Sequence, residues 1–495
     1  RAHALLRQAQ YLVSQNRRPE AKPLLEEIRH LSPTPAIAAW TAWVAGQSEY
    51  DAAAYRAASG FFRDASSTSP DPSLRAAAAY NAALSELQEG TLNPARSLAL
   101  LDSSPLPEYK LAGAEFHLER ALHLASKGDP DAADGLQAFA DSLPDHPRRF
   151  DALIALAELA LRADPPRPQD AARLHADALA AATQPWQQER AALLDCYIAE
   201  ATPPTGNAPA SAASADAFTA KVVKFLTAFP LSAARTDLRM KTAQIAYQRE
   251  DFSGARQLFE TLAADDPLHP LAEPALFWAG RAALLTMEPS SARQAVGFWE
   301  KVYELNGPLK WQARLQEAML NQRQNQPAAA LQLLDELLAP TAAPGPDPAT
   351  RWQSLLVKGE ILAAPAMKPE EQALGLKAFD QVITASGLPP AFKNQALVRK
   401  GVCLGTLKRH DEALEAYYDV LTNGPPAPNA AASPDDYWFH RAGTKALVLL
   451  ERAGKSEEAI EIAKKLAKAP GPRGRAAAEL VDELAFKYGI WTSSP

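Results

Sequence analysis

The chain has 495 residues, 47% of them hydrophobic, and a formal net charge of −7. It lacks an extended basic run, which argues against a dedicated nucleic-acid binder, and the mild negative charge implies little beyond solubility. No apolar run reaches the roughly 18 residues of a membrane-spanning helix, and much of the apolar content is alanine, so the expectation is an all-α chain cored by close helix contacts.

From the N-terminus, Ala9, Ala21, Leu25, Ile28 and Pro33 stand at steps of 12, 4, 3 and 5 residues. Gly46, Ala58, Phe62, Ala65 and Pro70 repeat those steps. The pattern predicts two short helices joined by a turn. Small residues in both helices let the backbones approach, the later residues share one face of the second helix, and proline stops it. Residues 73–104, 107–147 and 148–183 are looser pairs of the same kind. Gly135, Phe139 and Pro147 mark one second helix, and Asp164-Pro165-Pro166 breaks the last pair. The sixth unit predicts helices from Trp186 to Glu200 and from Ala217 to Phe229. Between them, 201–214 is rich in Pro, Ala and Ser. Composition alone reads it as a mobile linker, whereas repeat phase favours an insertion inside one hairpin.

The second half returns to register. Ala243, Phe252, Ala255, Phe259, Leu262 and Pro267 form one unit. Gly280, Ala295, Trp299 and Val302 form the next, with a longer turn at Glu288-Pro289-Ser290. Ala318, Ala330, Leu334 and Leu337 follow, then a Pro-rich loop at 340–348. Gly359 and Phe379 carry the tenth unit, with an expanded turn from Pro365 to Pro369. The best-kept unit is 392–425, with Gly401, Ala413, Tyr417, Val420 and Pro425. Its second helix is predicted to be capped by Asp411 and stopped by Asn423-Gly424. After a loop at 424–434, Gly454, Ala459, Ala463 and Leu466 define the twelfth unit, and a helix over 474–487 closes the array.

Small, small, aromatic, apolar and proline positions at these steps resemble the tetratricopeptide repeat, a helix–turn–helix unit of about 34 residues. The resemblance implies a tetratricopeptide-like α-solenoid: a right-handed superhelix of about twelve hairpins plus a C-terminal capping helix. The expected layout is an N-terminal array over 1–200, the Pro/Ala/Ser segment over 201–216, a middle array over 217–339, a loop over 340–350, and a C-terminal array over 351–495. Residues 255–284 further resemble repeats of bacterial cell-envelope tetratricopeptide proteins. The chain starts at Arg1, which fits a trimmed N-terminus. The expected location is therefore the periplasm or cell envelope, with the cytoplasm as the alternative.

Motifs for catalysis and metals are missing. The sequence has no Gly-rich phosphate loop, no HExxH, no GxSxG and no CxxC. His117 and His123 are six residues apart, about 240° around a helix, and do not share a face as metal ligands would. Acidic pairs such as Glu26-Glu27 and Asp265-Asp266 fit solvated faces or helix starts. Cys196 and Cys403 fit buried free thiols. The expectation is a non-enzyme without cofactor or metal. It would be a scaffold for other proteins or peptides, including an envelope complex, without nucleic acid. A structural subunit of a large assembly and a helical accessory module of a cell-wall enzyme complex are the alternatives.

Some tetratricopeptide proteins hold a peptide C-terminus through Lys, Asn and Arg on successive first helices. The corresponding positions here are Leu6 and Gln10, Met240 and Gln244, Val398 and Val402, which do not supply that set. Groove-facing positions of the second unit are instead Trp40, Trp43, Gln47 and Tyr50. Those of the eighth include Phe277 and Arg281. Aromatics and arginine suit interface anchors. The same aromatics suit packing between adjacent helices, and the sequence leaves both readings open.

Overall fold

A computed structural model describes residues 1–202, 210–339, 345–422, 434–469 and 471–489. Among these residues there are 25 helices and no strand. The chain divides into two compact units, Arg1–Leu238 and Arg239–Pro495.

The first unit holds α1 (Ala2–Ser14), α2 (Arg18–His30), α3 (Pro35–Asp51), α4 (Tyr55–Thr68), α5 (Pro72–Gln88), α6 (Ala95–Leu101), α7 (Pro107–Ser126), α8 (Ala132–Ser142), α9 (Arg149–Arg162), α10 (Pro168–Ala181), α11 (Pro185–Ala201) and α12 (Ala210–Ala228). The unit boundary falls within α13 (Arg235–Gln248). The second unit continues with α14 (Phe252–Asp265), α15 (Ala272–Leu285), α16 (Ser291–Leu305), α17 (Lys310–Arg323), α18 (Pro327–Leu338), α19 (Pro348–Leu362), α20 (Pro369–Ile383), α21 (Pro390–Thr406), α22 (His410–Thr422), α23 (Pro434–Arg452), α24 (Ser456–Ala467) and α25 (Pro472–Tyr488).

Each stack is built from contacts between sequence neighbours. In the first unit α1 packs on α2 and α3, and α5, α7, α9 and α11 touch in succession. In the second, α17, α19, α21 and α23 do the same. First helices of successive hairpins therefore line one face of each stack, and second helices back them.

The register has a steric cause. Ala9, Ala58, Ala243, Ala255, Ala318, Ala330 and Ala413 are fully buried, as are Phe259 and Leu334. Where the first helix carries glycine, the second carries an aromatic ring against it. A methyl added to Gly46 would lie 2.8 Å from the Phe62 ring, at Gly359 2.9 Å from Phe379, and at Gly401 2.5 Å from Tyr417. At Gly280 it would lie 2.5 Å from Trp299, whose indole N–H donates to the Phe277 carbonyl at 3.3 Å. Where the first helix carries alanine, the matching residue is Leu25 for Ala9 and Leu334 for Ala318, but Phe259 for Ala243. In each of these pairs a small residue on the first helix meets a larger apolar side chain on the second, as close packing demands.

A second marker follows. The residue seven places after Ala9, Gly46, Ala243, Gly280, Ala318 and Gly401 turns the chain in the left-handed region: Asn16, Ala53, Glu250, Met287, Asn325 and Lys408, with φ between 55° and 63°. The next backbone N–H usually returns to the first helix, as from Arg17 to Leu12 O at 2.8 Å and from Arg409 to Leu404 O at 2.9 Å. This closes the helix with a six-to-one bond.

Three expectations change. Gly454 is this turn residue, with φ of 71°, and not the small packing residue of the twelfth hairpin. Register gives the packing place to buried Leu447, and α23 is approached closely at Gly443, where a methyl would lie 2.5 Å from Leu466. Asp411 is not a cap: α22 starts at His410, so Asp411 sits in its first turn, where a carboxylate also suits the helix dipole. Residues 210–214, expected in the Pro/Ala/Ser segment, are the first turn of α12, and the Ser214 hydroxyl donates to the Thr202 carbonyl at 2.8 Å. Residues 203–209 of that segment, the 340–344 part of the second loop, Asn423-Gly424, Pro425 and the third loop through residue 433 lie outside the described residues.

Candidate functional site

The groove-facing prediction can be followed residue by residue. In the first unit, α1 and α3 stand side by side and leave a groove of 660 Å³ between them. Trp40, Trp43 and Gln47 line it together with Gln10, Ser14, Arg18 and Asp51. Two of these are one α3 turn apart by necessity: Trp43 and Gln47 sit at i and i+4. Thr34, the α3 N-cap, accepts from Ile37 N–H at 3.4 Å, and Pro35 opens the helix, which fixes where that face begins.

The two tryptophans differ in role. Trp40 is 41% exposed. Trp43 is half-buried, with its ring edge-on to Phe62 at 5.5 Å and to Trp40 at 6.2 Å. Trp43 thus anchors the groove wall to the α4 core, and Trp40 extends from it toward solvent. The polar end of the groove is arranged as well. The Gln47 amide donates to the Asp51 carboxylate at 2.8 Å. Arg18 Nε is buried without a hydrogen-bond partner. A buried, unused donor is costly unless something supplies an acceptor.

Tyr50 does not join this groove. It packs on Tyr55 at 5.3 Å and on the Ala58, Phe62 and Ala82 cluster, and burial pushes its hydroxyl pKa up. The eighth hairpin divides the same way. Phe277 is only 7% exposed and belongs to the core. Arg281 is exposed, with its guanidinium over the Trp278 ring at 4.7 Å. Trp278 in turn meets Tyr247 at 5.2 Å. The surface aromatic here is therefore Trp278, one residue beyond the predicted Phe277. Gln10 is among the positions at which related proteins hold a peptide end, and it does line the groove; Ser14, one turn further along α1, Arg18 and Asp51 were not picked out by the sequence.

The first-helix face of the first unit is polar farther along. Arg148 joins Glu119 at 2.6 Å and Asp151 at 3.3 Å, which ties α7 to the start of α9. Beside them burial pushes the Tyr80 hydroxyl up to about 12, with the Glu119 charge adding to the shift. This network pairs its own charges and presents no reacting group.

Cys196 and Cys403 are buried free thiols, pushed up to about 11 and about 12 by burial. Among the described residues no cluster of three or more His, Cys, Asp and Glu could hold a metal ion, and no helix is long and apolar enough to cross a membrane.

Residues 240–297 and 373–428 match the family model described as tetratricopeptide repeat. These segments contain the register around Ala243 and Gly280 and that around Gly401. No curated protein matches the sequence. Among solved structures, a tetratricopeptide repeat protein from Parabacteroides merdae is 15% identical over 58% of this chain and 98% of its own, with a TM-score of 0.32. Yeast Tom70 is 14% identical over 99% of this chain and 96% of its own, with a TM-score of 0.36. The matched segments are tetratricopeptide repeats, and the same helix–turn–helix register runs through the hairpins around them.

Proposed function

We propose that this chain is a non-catalytic scaffold that binds a partner protein segment in the groove between α1 and α3. The observation that carries the reading is the combination in one groove of an exposed Trp40, a wall-forming Trp43 and the Arg18 side chain. An aromatic anchor gives contact area at small entropic cost, and the Arg18 guanidinium is a cation suited to a peptide carbonyl or carboxylate. A rigid helical wall keeps the ordering cost on the protein side low. Tetratricopeptide proteins bind other proteins, which agrees with this use of the fold.

A random peptide library displayed against the full chain tests the proposal. Enriched peptides should bind the Trp40→Ala variant at least about tenfold more weakly, a hot-spot loss of ~1.4 kcal/mol or more. Peptides that bind both forms equally would reject the groove. A cell-envelope location is part of the same proposal and is supported by the resemblance of residues 255–284 to envelope repeats. Fractionation of the native source, with the chain recovered only in the cytoplasm, would remove it.

A further inference from the structure

The lining of the groove between α1 and α3 narrows the kind of segment that fits it. Two tryptophan rings from one turn of α3, Trp40 and Trp43, stand in it with centroids 6.2 Å apart and planes inclined at 67°. Trp40 is 41% exposed, and Trp43 is fixed by its edge-on contact with Phe62 at 5.5 Å. Rings set at that angle form a notch, and the inner ring holds one wall of it in place. Around the notch, four side chains can donate to a carbonyl oxygen: Gln10, Asn16, Arg18 and Gln47. Gln47 gives one amide N–H to the Asp51 carboxylate at 2.8 Å and keeps the other. Arg18 and Asp51 are the charged residues of the lining, and their charges cancel, so the groove matches a ligand without net charge.

We infer that the α1–α3 groove binds a proline-rich segment in the polyproline II conformation, with a pyrrolidine ring in the Trp40–Trp43 notch and backbone carbonyls accepting from Gln10 and Gln47. The inference rests on the reading of this groove as a partner site and names the partner's chemistry. A polyproline II backbone has no internal hydrogen bonds, so its carbonyls are free to accept. A helical segment has already used its own. Proline has no backbone N–H, so such a segment brings no unpaired donor against walls whose mid-helix carbonyls are taken by their own ladders. An extended strand would bring those donors in. An uncharged segment also matches a lining whose two charges cancel. The ligand's conformation is preformed, which keeps the ordering cost low in an aromatic-lined groove.

The test uses the full chain and a fluorescein-labelled oligoproline peptide, followed by anisotropy. A peptide of equal length with alanine in place of proline regains the N–H groups and the freedom to fold as a helix. The oligoproline peptide is expected to bind at least about tenfold more tightly than the alanine peptide, and equally at low and high salt. Gln10→Ala with Gln47→Ala should weaken it about tenfold, as the loss of two hydrogen bonds would. Trp40→Ala should weaken it by a similar factor. Circular dichroism shows that each variant keeps its helices. Equal binding of the two peptides, binding that falls with salt, or an unaffected glutamine double variant would each overturn the inference. If affinity is still lost in Trp40→Ala, the groove itself remains a partner site. Library peptides that depend on Trp40 but lack proline, with no binding of oligoproline, would likewise overturn the inference and leave the groove standing. Oligoproline binding unchanged in Trp40→Ala would overturn both.

Discussion

Tyr417 shows how much one residue settles in this chain. Its ring occupies the space that a side chain on Gly401 would need, and it is buried to 2% exposure. Burial also pushes its hydroxyl pKa well up from the ordinary value. Gly401→Ala should therefore cost about 1–3 kcal/mol by overpacking, even though alanine is the better helix former. The double variant Gly401→Ala with Tyr417→Leu reproduces the alanine–leucine pairing found at Ala9 and Leu25, and it should recover most of the loss. Urea melts of the two variants check this; a double variant no more stable than the single would refute the pairing rule. The pairing was legible in the sequence because size complements size at a fixed spacing. The reading failed at Gly454 because glycine serves two purposes. At Gly401 it makes room, and at Gly454 it accepts a positive φ, and composition does not tell these apart.

The same division of roles runs through the two tryptophans of α3. Trp43 contributes both to the α4 core and to the groove, so Trp43→Ala should lose about 2 kcal/mol of stability as well as any ligand. Trp40→Ala should change stability by no more than about 0.5 kcal/mol, as for most exposed positions. Thermal melts of both variants separate them. A Trp40→Ala variant as destabilised as Trp43→Ala would show that both rings are core.

At the scale of elements, helix starts matter as much as faces. Asp347 caps α19: it accepts from the Thr350 backbone N–H at 3.0 Å and from the Thr350 hydroxyl at 2.5 Å. Burial alone would raise its pKa. Its hydrogen bonds from Thr350, from Gln312 of α17 and from the Ala349 backbone outweigh that and hold the pKa below the ordinary 3.8. A depressed carboxylate contributes stability above its unfolded pKa and loses it as pH falls through the folded value. Asp347→Ala should thus cost ~1 kcal/mol near neutral pH, and the gap should narrow once the pH drops below the usual aspartate range. Chemical denaturation at neutral and acid pH measures both; a gap independent of pH would contradict the capping account. The helices themselves were legible from the spacing of small residues. The start of α12 was not, because 210–214 carries only Ala and Ser, whose pattern has no apolar period to read.

Within each unit the array is one-dimensional: each hairpin buries its face on the next, and first helices line one face of the stack. The proposed site lies on such a face, where residues are not needed for the register. For the same reason the candidate site was only partly legible. Sequence placed Trp40, Trp43 and Gln47 on the groove face, and these three do line one groove. It also placed Phe277 there, although that position in the eighth hairpin is taken into the core beside Trp299. Whether a face position is buried depends on the neighbouring hairpin, which a spacing rule does not contain. The most direct test of the scaffold account is the dissociation constant of a library-selected peptide for the intact chain and for Trp40→Ala. A loss of about tenfold or more with an unchanged melting temperature is the predicted result. Equal affinity for the two folded proteins would contradict the account.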